Sequence, residues 1–137
     1  MKICPQANIS GEIVVRSEPF GMRMARKKIV SVAGEMNFDP DATNDILLAV
    51  GEAVANACVH GSSEPGISLI YLGWHCRDDT LTVIVKDDGC PSMPLSGWRV
   101  KTLGQGMRIM QSVMDSVEII FDRGATVILK KQKLPGL

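Results

Sequence analysis

Residues 44–61, NDILLAVGEAVANACVHG, constrain the fold of this chain more than any other stretch. Their apolar positions recur at helical spacing, which predicts one amphipathic helix with its apolar side against a sheet. Glu52, Asn56 and His60 are spaced four residues apart, so they stack along a different line of the helix, each about 6 Å further along the axis. A carboxylate, an amide and an imidazole therefore share one polar line. A solvated polar edge without a function is the alternative interpretation of such a line.

The composition indicates one compact domain without a strong electrostatic field. The chain has 137 residues, 45% of them hydrophobic, which suits one core and is too short for two ordinary domains. We expect a single domain over residues 1–137, with its core at about 9–131. Lys+Arg and Asp+Glu balance at 15 each, so no global field recruits nucleic acid, and an anion must bind at a local site. No direct nucleic-acid partner is expected.

The cysteines and the hydropathy pattern predict a cytoplasmic protein. Cys4, Cys58, Cys76 and Cys90 are too scattered for a CxxC pair and are typical of reduced thiols. The N-terminal stretch lacks a continuous apolar core, and no later run approaches the roughly 20 apolar residues of a membrane span. We therefore expect neither export nor membrane insertion.

The periodicity along the chain predicts three helices and five strands. A strand at 9–16 leads into a helix at 20–36 with Ser17 as its cap, and a connector at 37–43 precedes the central helix. The later predicted elements are strands 67–76 and 81–86, a loop at 87–103, a helix that opens at Gly104, and strands 117–121 and 125–129. Two hairpins exclude an all-parallel sheet. The predicted fold class is α/β (α+β), a two-layer sandwich whose mixed, mainly antiparallel sheet carries helices on one face.

One candidate for chemistry is the DxG segment at the end of strand 81–86. Asp87 follows a buried strand and therefore needs a partner, and the exocyclic amino group of a purine is a suitable donor. Gly89 permits the close approach of a flat ring. A turn acid that caps its own backbone explains a lone DxG equally well.

A second candidate is the segment Gly104-Gln105-Gly106. A glycine-rich turn before a helix offers backbone N–H groups and a positive dipole end, which suit phosphate oxygens. A plain helix-entry turn is the alternative. Because the chain has no GxxxxGK[ST] and no GxGxxG after its first strand, neither a P-loop nor a Rossmann site is supported.

The third candidate is the polar line of the central helix. Asn56 supplies an amide oxygen of the kind that Mg²⁺ takes when water and phosphate provide its other ligands. Glu52, one turn earlier, could accept a proton from a hydroxyl or water beside a γ-phosphate. For His60 we favour a structural interpretation, a histidine stabilised by the dipole at a helix C-terminus.

Taken together, the motifs resemble a known superfamily. ExxxNA with HG (52–61), DxG (87–89), GxG (104–106) and GATV (124–127) occur in this order. The combination resembles the Bergerat-type (GHKL) ATPases, the superfamily of gyrase, histidine kinases and mismatch-repair ATPases. The wording EAVxNAxxHG and the stretch MDSVEI (114–119) look most like the bacterial serine-kinase anti-sigma factors. The resemblance covers about residues 9–131 and implies the Bergerat ATP-binding fold.

The resemblance also implies a role for each matching residue, with ATP and Mg²⁺ as cofactors. Glu52 matches the catalytic base and Asn56 the Mg²⁺ ligand. The residues implied to bind the nucleotide are Asn56, Asp87, Gly89, Gly104, Gly106, Met107 and Thr126. Within this set Thr126 matches the threonine that supports the adenine-binding aspartate. The loop at 91–103 corresponds to the ATP lid, where Arg99 and Lys101 could approach phosphates.

The function that the resemblance implies is a protein kinase that acts as a switch. Such proteins phosphorylate a serine or threonine on an anti-anti-sigma protein of STAS type, otherwise sequester a sigma factor, and are usually homodimers. One alternative is a nucleotide-sensing module that binds a regulator without phosphorylating it. Another is a simple ATP hydrolase or a detached histidine-kinase ATPase domain, although no phospho-accepting helix is visible and His60 and His75 are poor candidates. Pro91 stands where many relatives have a second glycine, so a stiffer lid hinge is expected.

Overall fold

The computed structural model describes residues 9–60, 68–88, 97–121 and 124–134, and for residues 59–60 and 97–104 the backbone alone. Three helices and five strands follow one another in the predicted order. Their bounds are β1 Ser10–Arg16, α1 Pro19–Glu35, α2 Pro40–His60, β2 Leu69–Arg77, β3 Thr80–Asp87, α3 Gly97–Val113, β4 Ser116–Phe121 and β5 Ala125–Gln132. None of the helices in these ranges is long and apolar enough to cross a membrane.

The five strands form one sheet in the order β1-β2-β3-β5-β4, and every pairing among them is antiparallel. The helices pack on one face: α1 on β1, α2 on β2, β3 and β5, and α3 on α2 and β4. The hairpin between β2 and β3 closes at Asp78 and Asp79, with φ of 53° and 62°. Positive φ at both central residues is what a two-residue type I′ turn requires. The predicted two-layer sandwich is confirmed, with an antiparallel rather than mixed sheet in the strands described.

The core lies between α2 and the centre of the sheet. Alternate residues of β3, among them Leu81 and Val83, are fully buried in one hydrophobic cluster with Ile46 and Val50 of α2. Burying an aliphatic side chain of this size contributes about 1.5–3 kcal/mol. The apolar stripe of α2 is therefore held against the sheet, and this fixes the direction in which its polar line projects.

The first helical turn of α2 lies in the predicted connector. The helix begins at Pro40, and the Asp39 carboxylate Oδ1 accepts a hydrogen bond of 2.7 Å from the Ala42 N–H. An aspartate cap followed by proline at the first helical position satisfies one free N–H and removes another. The helix continues to His60, in agreement with the predicted end.

The predicted cap of α1 is wrong. Glu18, not Ser17, is the N-cap residue, and its side chain makes no capping hydrogen bond. Ser17 is buried, and its N–H donates to the Ser68 carbonyl at 3.0 Å. Ser17 therefore extends the pairing of β1 with β2, while Pro19 opens the helix with its fixed φ.

The start of α3 is the largest difference from the predicted elements. The helix begins at Gly97, so residues 97–103 are not loop, and Gly104 and Gly106 lie inside the helix. Residues 98–103, WRVKTL, contain neither glycine nor proline, and an interior glycine costs a helix only about 1 kcal/mol. The fully buried Met110 on the same helix offsets such a cost. Because only the first four N–H groups of a helix lack an internal acceptor, those of Gly104 and Gly106 are bonded within α3.

A lysine of β5 ties the end of α3 to the rest of the domain. Lys131 Nζ donates to the Val113 carbonyl at 2.6 Å and lies 3.4 Å from Asp45 Oδ2 on α2. Two residues later, the Lys133 N–H donates to the Asp79 carbonyl at 2.7 Å, in the turn between β2 and β3. The last strand thus contacts two helices, and the residue directly after it contacts a distant hairpin.

Candidate functional site

The polar line of α2 projects from the edge of the helix that adjoins α3. Glu52 and Asn56 are half-buried, whereas their neighbours Ala53 and Ala57 are buried in the core. The burial of these alanines fixes the rotation of α2 about its axis. The carboxylate and the amide are therefore held one helical turn apart, as predicted, while the His60 side chain lies outside the described residues.

Gly106 of α3 packs directly over this pair. A Cβ atom at Gly106 would lie 2.7 Å from Asn56 Nδ2 and 3.2 Å from Glu52 Oε1. The first distance is shorter than a carbon and a nitrogen tolerate without displacement of the side chain. Glycine is thus needed here for a close approach between two helices. The geometry thus explains the glycine at this position by close packing. The predicted explanation was different, namely that the glycine supplies N–H groups at a helix start.

The nitrogen of the Asn56 amide has no partner in the part of the chain that the structure describes. Its Nδ2 atom is buried and has no hydrogen-bond acceptor among the residues that the structure describes. An unpaired buried donor costs about 1–3 kcal/mol, so this group is suited to engage a ligand. An amide can present its oxygen to a cation or its nitrogen to an anionic oxygen. The site therefore fits the predicted Mg²⁺ and phosphate groups chemically.

Glu52 can also be reached from outside the molecule. It borders an open hollow of about 360 Å³. The other residues that line the hollow are Met22, Arg26, Asn44, Leu47, Leu48 and Gly51. A hydroxyl group on another molecule could approach the Glu52 carboxylate through this opening.

Asp87 lies at the end of β3, where the sequence placed it. Its side chain is only 4% exposed, and its Oδ1 accepts a hydrogen bond of 3.2 Å from the Ala125 N–H. A buried carboxylate of this kind is stabilised by backbone donors and suits recognition of a polar hydrogen. Gly89 and Pro91, which follow Asp87 in the sequence, lie outside the described residues.

The structure does not bring Thr126 to Asp87. Thr126 is paired with Lys86, and successive side chains of a strand point to opposite faces of the sheet. The Thr126 side chain therefore lies on the face opposite to that of Asp87, and the predicted contact between them is wrong in this structure. A backbone group, the Ala125 N–H, donates to Asp87. Sequence reasoning missed this donor because almost any residue can supply a backbone N–H. The alternation of side chains along the strand could, however, have excluded Thr126.

The remaining predicted residues are placed less fully. Met107 follows Gly106 on α3 and is half-buried. Gly104 is described as helical backbone, and the side chains of Arg99 and Lys101 lie outside the described part. Gly106 is the predicted phosphate-binding residue whose approach to Glu52 and Asn56 the structure describes.

The thiols of the described region are not candidates for the chemistry. Cys58 and Cys76 are free, as expected, and desolvation by burial raises the pKa of both thiols. A thiol with a raised pKa stays protonated at neutral pH and is a poor nucleophile. Cys4 and Cys90 lie outside the described residues.

Comparisons with known proteins identify the family. The model of the histidine kinase-like ATPase domain matches residues 15–131. An anti-sigma F factor from Clostridium acetobutylicum is 30% identical over 119 residues, 80% of this chain and 82% of the relative. The serine-protein kinase RsbW of Bacillus velezensis is 26% identical over 135 residues, 88% of this chain and 83% of the relative.

A solved structure shares the fold. The crystal structure of the RsbU and RsbW domains of Rv1364c from Mycobacterium tuberculosis matches with a TM-score of 0.73 and 19% sequence identity. The match covers 91% of this chain and 32% of that one, so this chain spans about a third of the solved protein. The family match runs from the end of β1 to β5 and includes every described site residue. The chain therefore belongs to the histidine kinase-like ATPase domain family.

Proposed function

We propose that this protein is an ATP-dependent serine/threonine protein kinase that acts as an anti-sigma factor in the cytoplasm. It transfers the γ-phosphate of Mg·ATP to an anti-anti-sigma protein of STAS type, in its other state binds a sigma factor, and acts as a homodimer. The relatives named anti-sigma F factor and serine-protein kinase RsbW support this proposal. The structural observation that carries it is the approach of Glu52 and the unpartnered Asn56 amide to a glycine of α3.

The nucleotide is held by three parts of the fold. The Asp87 carboxylate accepts a hydrogen bond from the adenine amino group, and the Ala125 N–H keeps that carboxylate in place. Asn56 would hold Mg²⁺ through its amide oxygen. The ion would supply positive charge beside the phosphates.

Gly104, Gly106 and Met107 border the phosphates. Because the N–H groups of both glycines are bonded within α3, they can reach phosphate oxygens only if this part of the helix unwinds. Glycine has the lowest helix propensity after proline, so the two glycines keep the cost of such a change small.

Glu52 is the general base. It accepts the proton of the acceptor serine or threonine as that oxygen attacks the γ-phosphorus, and the open hollow beside it gives the acceptor a path. This role separates a kinase from a nucleotide-sensing module, which binds ATP but has no need of a proton acceptor here.

The test is the variant Glu52→Gln. Glutamine keeps the size and hydrogen-bonding reach of the side chain but cannot accept the proton. Affinity for Mg·ATP should persist in calorimetry, while phosphate transfer from labelled ATP to anti-anti-sigma proteins should fall about 10²–10⁴-fold. Glu35→Gln changes an exposed glutamate at the end of α1 and should leave both quantities unchanged. If Glu52→Gln transfers phosphate at the parental rate, the kinase proposal is wrong and the nucleotide-sensing module takes its place.

A further inference from the structure

The hollow beside Glu52 lies between helices α1 and α2. Its volume of about 360 Å³ falls in the range of roughly 300–1,000 Å³ that is typical of ligand pockets. The residues of α2 that line it are Asn44, Leu47, Leu48, Gly51 and Glu52. Steps of three and four residues place them on one stripe along the helix, which ends at the proposed general base. A segment of another protein that lies along this stripe brings one of its side chains to the Glu52 carboxylate.

The floor of the hollow is apolar and has open space next to Glu52. Leu48 is 48% exposed, and Met22 and Leu47 are half-buried. A Cβ atom at Gly51 would meet no atom within 4 Å, so the packing of α2 does not require a glycine at this position. Glycine is unfavourable inside a helix. Its effect here is to leave room beside the general base for a bound chain.

The α1 side of the hollow carries a positive charge that is available to a partner. Arg26 is exposed, and it makes no ion pair with a residue that the structure describes. Two other cations of α1 have aromatic contacts within the protomer. Arg23 lies 5.8 Å from the ring of Phe20, and Lys28 lies 5.5 Å from the ring of Trp74. Arg26 is thus the cation of this helix that borders the hollow.

The two charged side chains at the hollow favour different chemical groups. Arg26 and Glu52 border the same space but do not form an ion pair with each other. A carboxylate beside Arg26 can accept two parallel hydrogen bonds from the guanidinium. The same carboxylate beside Glu52 would be repelled, whereas a neutral hydroxyl can donate its proton there. The hollow is therefore complementary to a chain that carries an acidic group and, further along, a hydroxyl.

We propose that this hollow binds the substrate protein through a segment in which an acidic and an apolar side chain accompany the serine or threonine that receives the phosphate. Arg26 pairs with the acidic side chain, and Leu48 and Met22 contact the apolar one. Gly51 leaves room for the segment beside Glu52. Arg26 is thus a specificity-determining residue, which positions the hydroxyl without touching the reacting atoms. The proposal rests on the proposed kinase function and adds the chemistry of its substrate.

The first experiment separates KM from kcat for the protein substrate. The probe is the purified anti-anti-sigma protein that the parent phosphorylates in the Glu52 experiment, at increasing concentration with saturating labelled Mg·ATP. Arg26→Glu should raise the KM for this protein about tenfold or more, because an attraction becomes a repulsion, and should leave kcat and Mg·ATP affinity unchanged. Lys27→Glu is the matched control. It makes the same change of charge on the next residue of α1, which does not line the hollow, and should leave KM unchanged.

A charge reversal on the substrate identifies the partner of Arg26. Each acidic residue of the anti-anti-sigma protein that lies near the phosphorylated serine or threonine is changed in turn to arginine. One of these variants should be a poor substrate of the parent and a good substrate of Arg26→Glu, since the two charges again oppose each other. A structural defect in Arg26→Glu would not be corrected by a change in the other protein.

A second variant tests the space rather than the charge. Gly51→Leu should fill the hollow and leave the helix intact, because a Cβ meets no atom there and leucine is a good helix former. The kcat/KM for the protein substrate should fall about tenfold or more, while Mg·ATP affinity and thermal stability should not decrease. Gly34→Leu is the matched control, since a Cβ at this glycine of α1 also meets no atom within 4 Å and the residue does not line the hollow.

The possible failures distinguish this proposal from the proposed function. The docking proposal is wrong if Arg26→Glu keeps the parental KM or loses Mg·ATP affinity, if Lys27→Glu has the same effect, or if Gly51→Leu transfers phosphate as well as the parent. It is also wrong if none of the reversed substrates restores transfer by Arg26→Glu. Each of these results leaves the kinase activity in place. A parent that phosphorylates none of the anti-anti-sigma proteins would instead contradict the kinase and this docking together.

Discussion

Helices α2 and α3 border the same site, but they contribute to it in different ways. Helix α2 brings two functional side chains, Glu52 and Asn56, on a rigid body whose apolar stripe is buried against the sheet. Helix α3 has no side chain at Gly106, and this lets the Asn56 amide lie close to the backbone of α3. Helix α2 therefore forms the wall of the site that carries the functional groups, and α3 forms the wall that leaves room for them.

The difference teaches which substitutions each wall can accept. A change on α2 removes a functional group but leaves the shape of the site. A change at Gly106 adds atoms where there is no room, although the same change elsewhere in a helix is favourable. The two walls can thus be distinguished by measuring binding, transfer and stability separately.

The broadest effect among the new variants is expected from Asn56→Ala, which should lower nucleotide binding as well as phosphate transfer. The variant removes the proposed Mg²⁺ ligand, so affinity for Mg·ATP and phosphate transfer should fall together, with transfer lower by about 10²–10³-fold. Glu52→Gln, one turn away, should lose transfer alone. Calorimetry with and without Mg²⁺, together with a transfer assay, measures both. If Asn56→Ala and the parent bind Mg·ATP with equal affinity, Asn56 is not a ligand of the cation.

The next effect concerns the part of the site that neither helix supplies. Asp87→Asn keeps an oxygen for the Ala125 N–H but loses a charge-assisted bond to the adenine amino group. That loss should cost about 1.5–3 kcal/mol, or ten- to over a hundredfold in ATP affinity. Calorimetry with ATP and GTP is the measurement. An unchanged preference between the two nucleotides would assign Asp87 a purely structural role.

Gly106→Ala and Gly51→Ala are a matched pair that sharpens the contrast between the helices. A Cβ at Gly51 in α2 meets nothing within 4 Å, so this variant should gain about 0.5–1 kcal/mol of stability from helix propensity and keep its nucleotide affinity. At Gly106 the new methyl group displaces Asn56, which should cost about 1–3 kcal/mol of stability and weaken Mg·ATP binding. Thermal unfolding and calorimetry distinguish them. Similar behaviour of the two variants would mean that α3 does not close on α2 in solution.

The smallest effect tests the anchoring of α2. Asp39→Ala removes the side-chain cap of the Ala42 N–H and should lower the free energy of unfolding by about 1 kcal/mol. Asp41→Ala, two residues later in the first turn, makes the matched control and should cost less. Urea unfolding measures both. Nucleotide affinity should be unchanged in each variant, since the site lies more than two turns further along the helix.

The parts of the site that are side chains on regular elements could be predicted from the sequence. The four-residue spacing of Glu52 and Asn56 and the strand before Asp87 gave their positions, because helical and extended periodicities are properties of the chain itself. The fold class and the ATPase family are confirmed. The roles of these residues stay predictions.

The rest depends on contacts that the sequence does not display. Residues 87–103 have no periodicity, so the start of α3 at Gly97 could not be separated from the loop. The bond from Ala125 to Asp87 uses a backbone group, which any residue except proline supplies. The cap at Asp39 was visible as an Asp-Pro pair, but the periodic pattern placed the helix start four residues too late.

The bonds made by Lys131 and Lys133 set a boundary for protein engineering. A cut or a fusion placed before Lys131 would release the Val113 carbonyl at the end of α3 and the contact with Asp45 on α2. A junction placed after Leu134 keeps these bonds and the one from Lys133 to the turn at Asp79. A reporter or affinity tag belongs beyond that residue, where it leaves both helices of the site anchored.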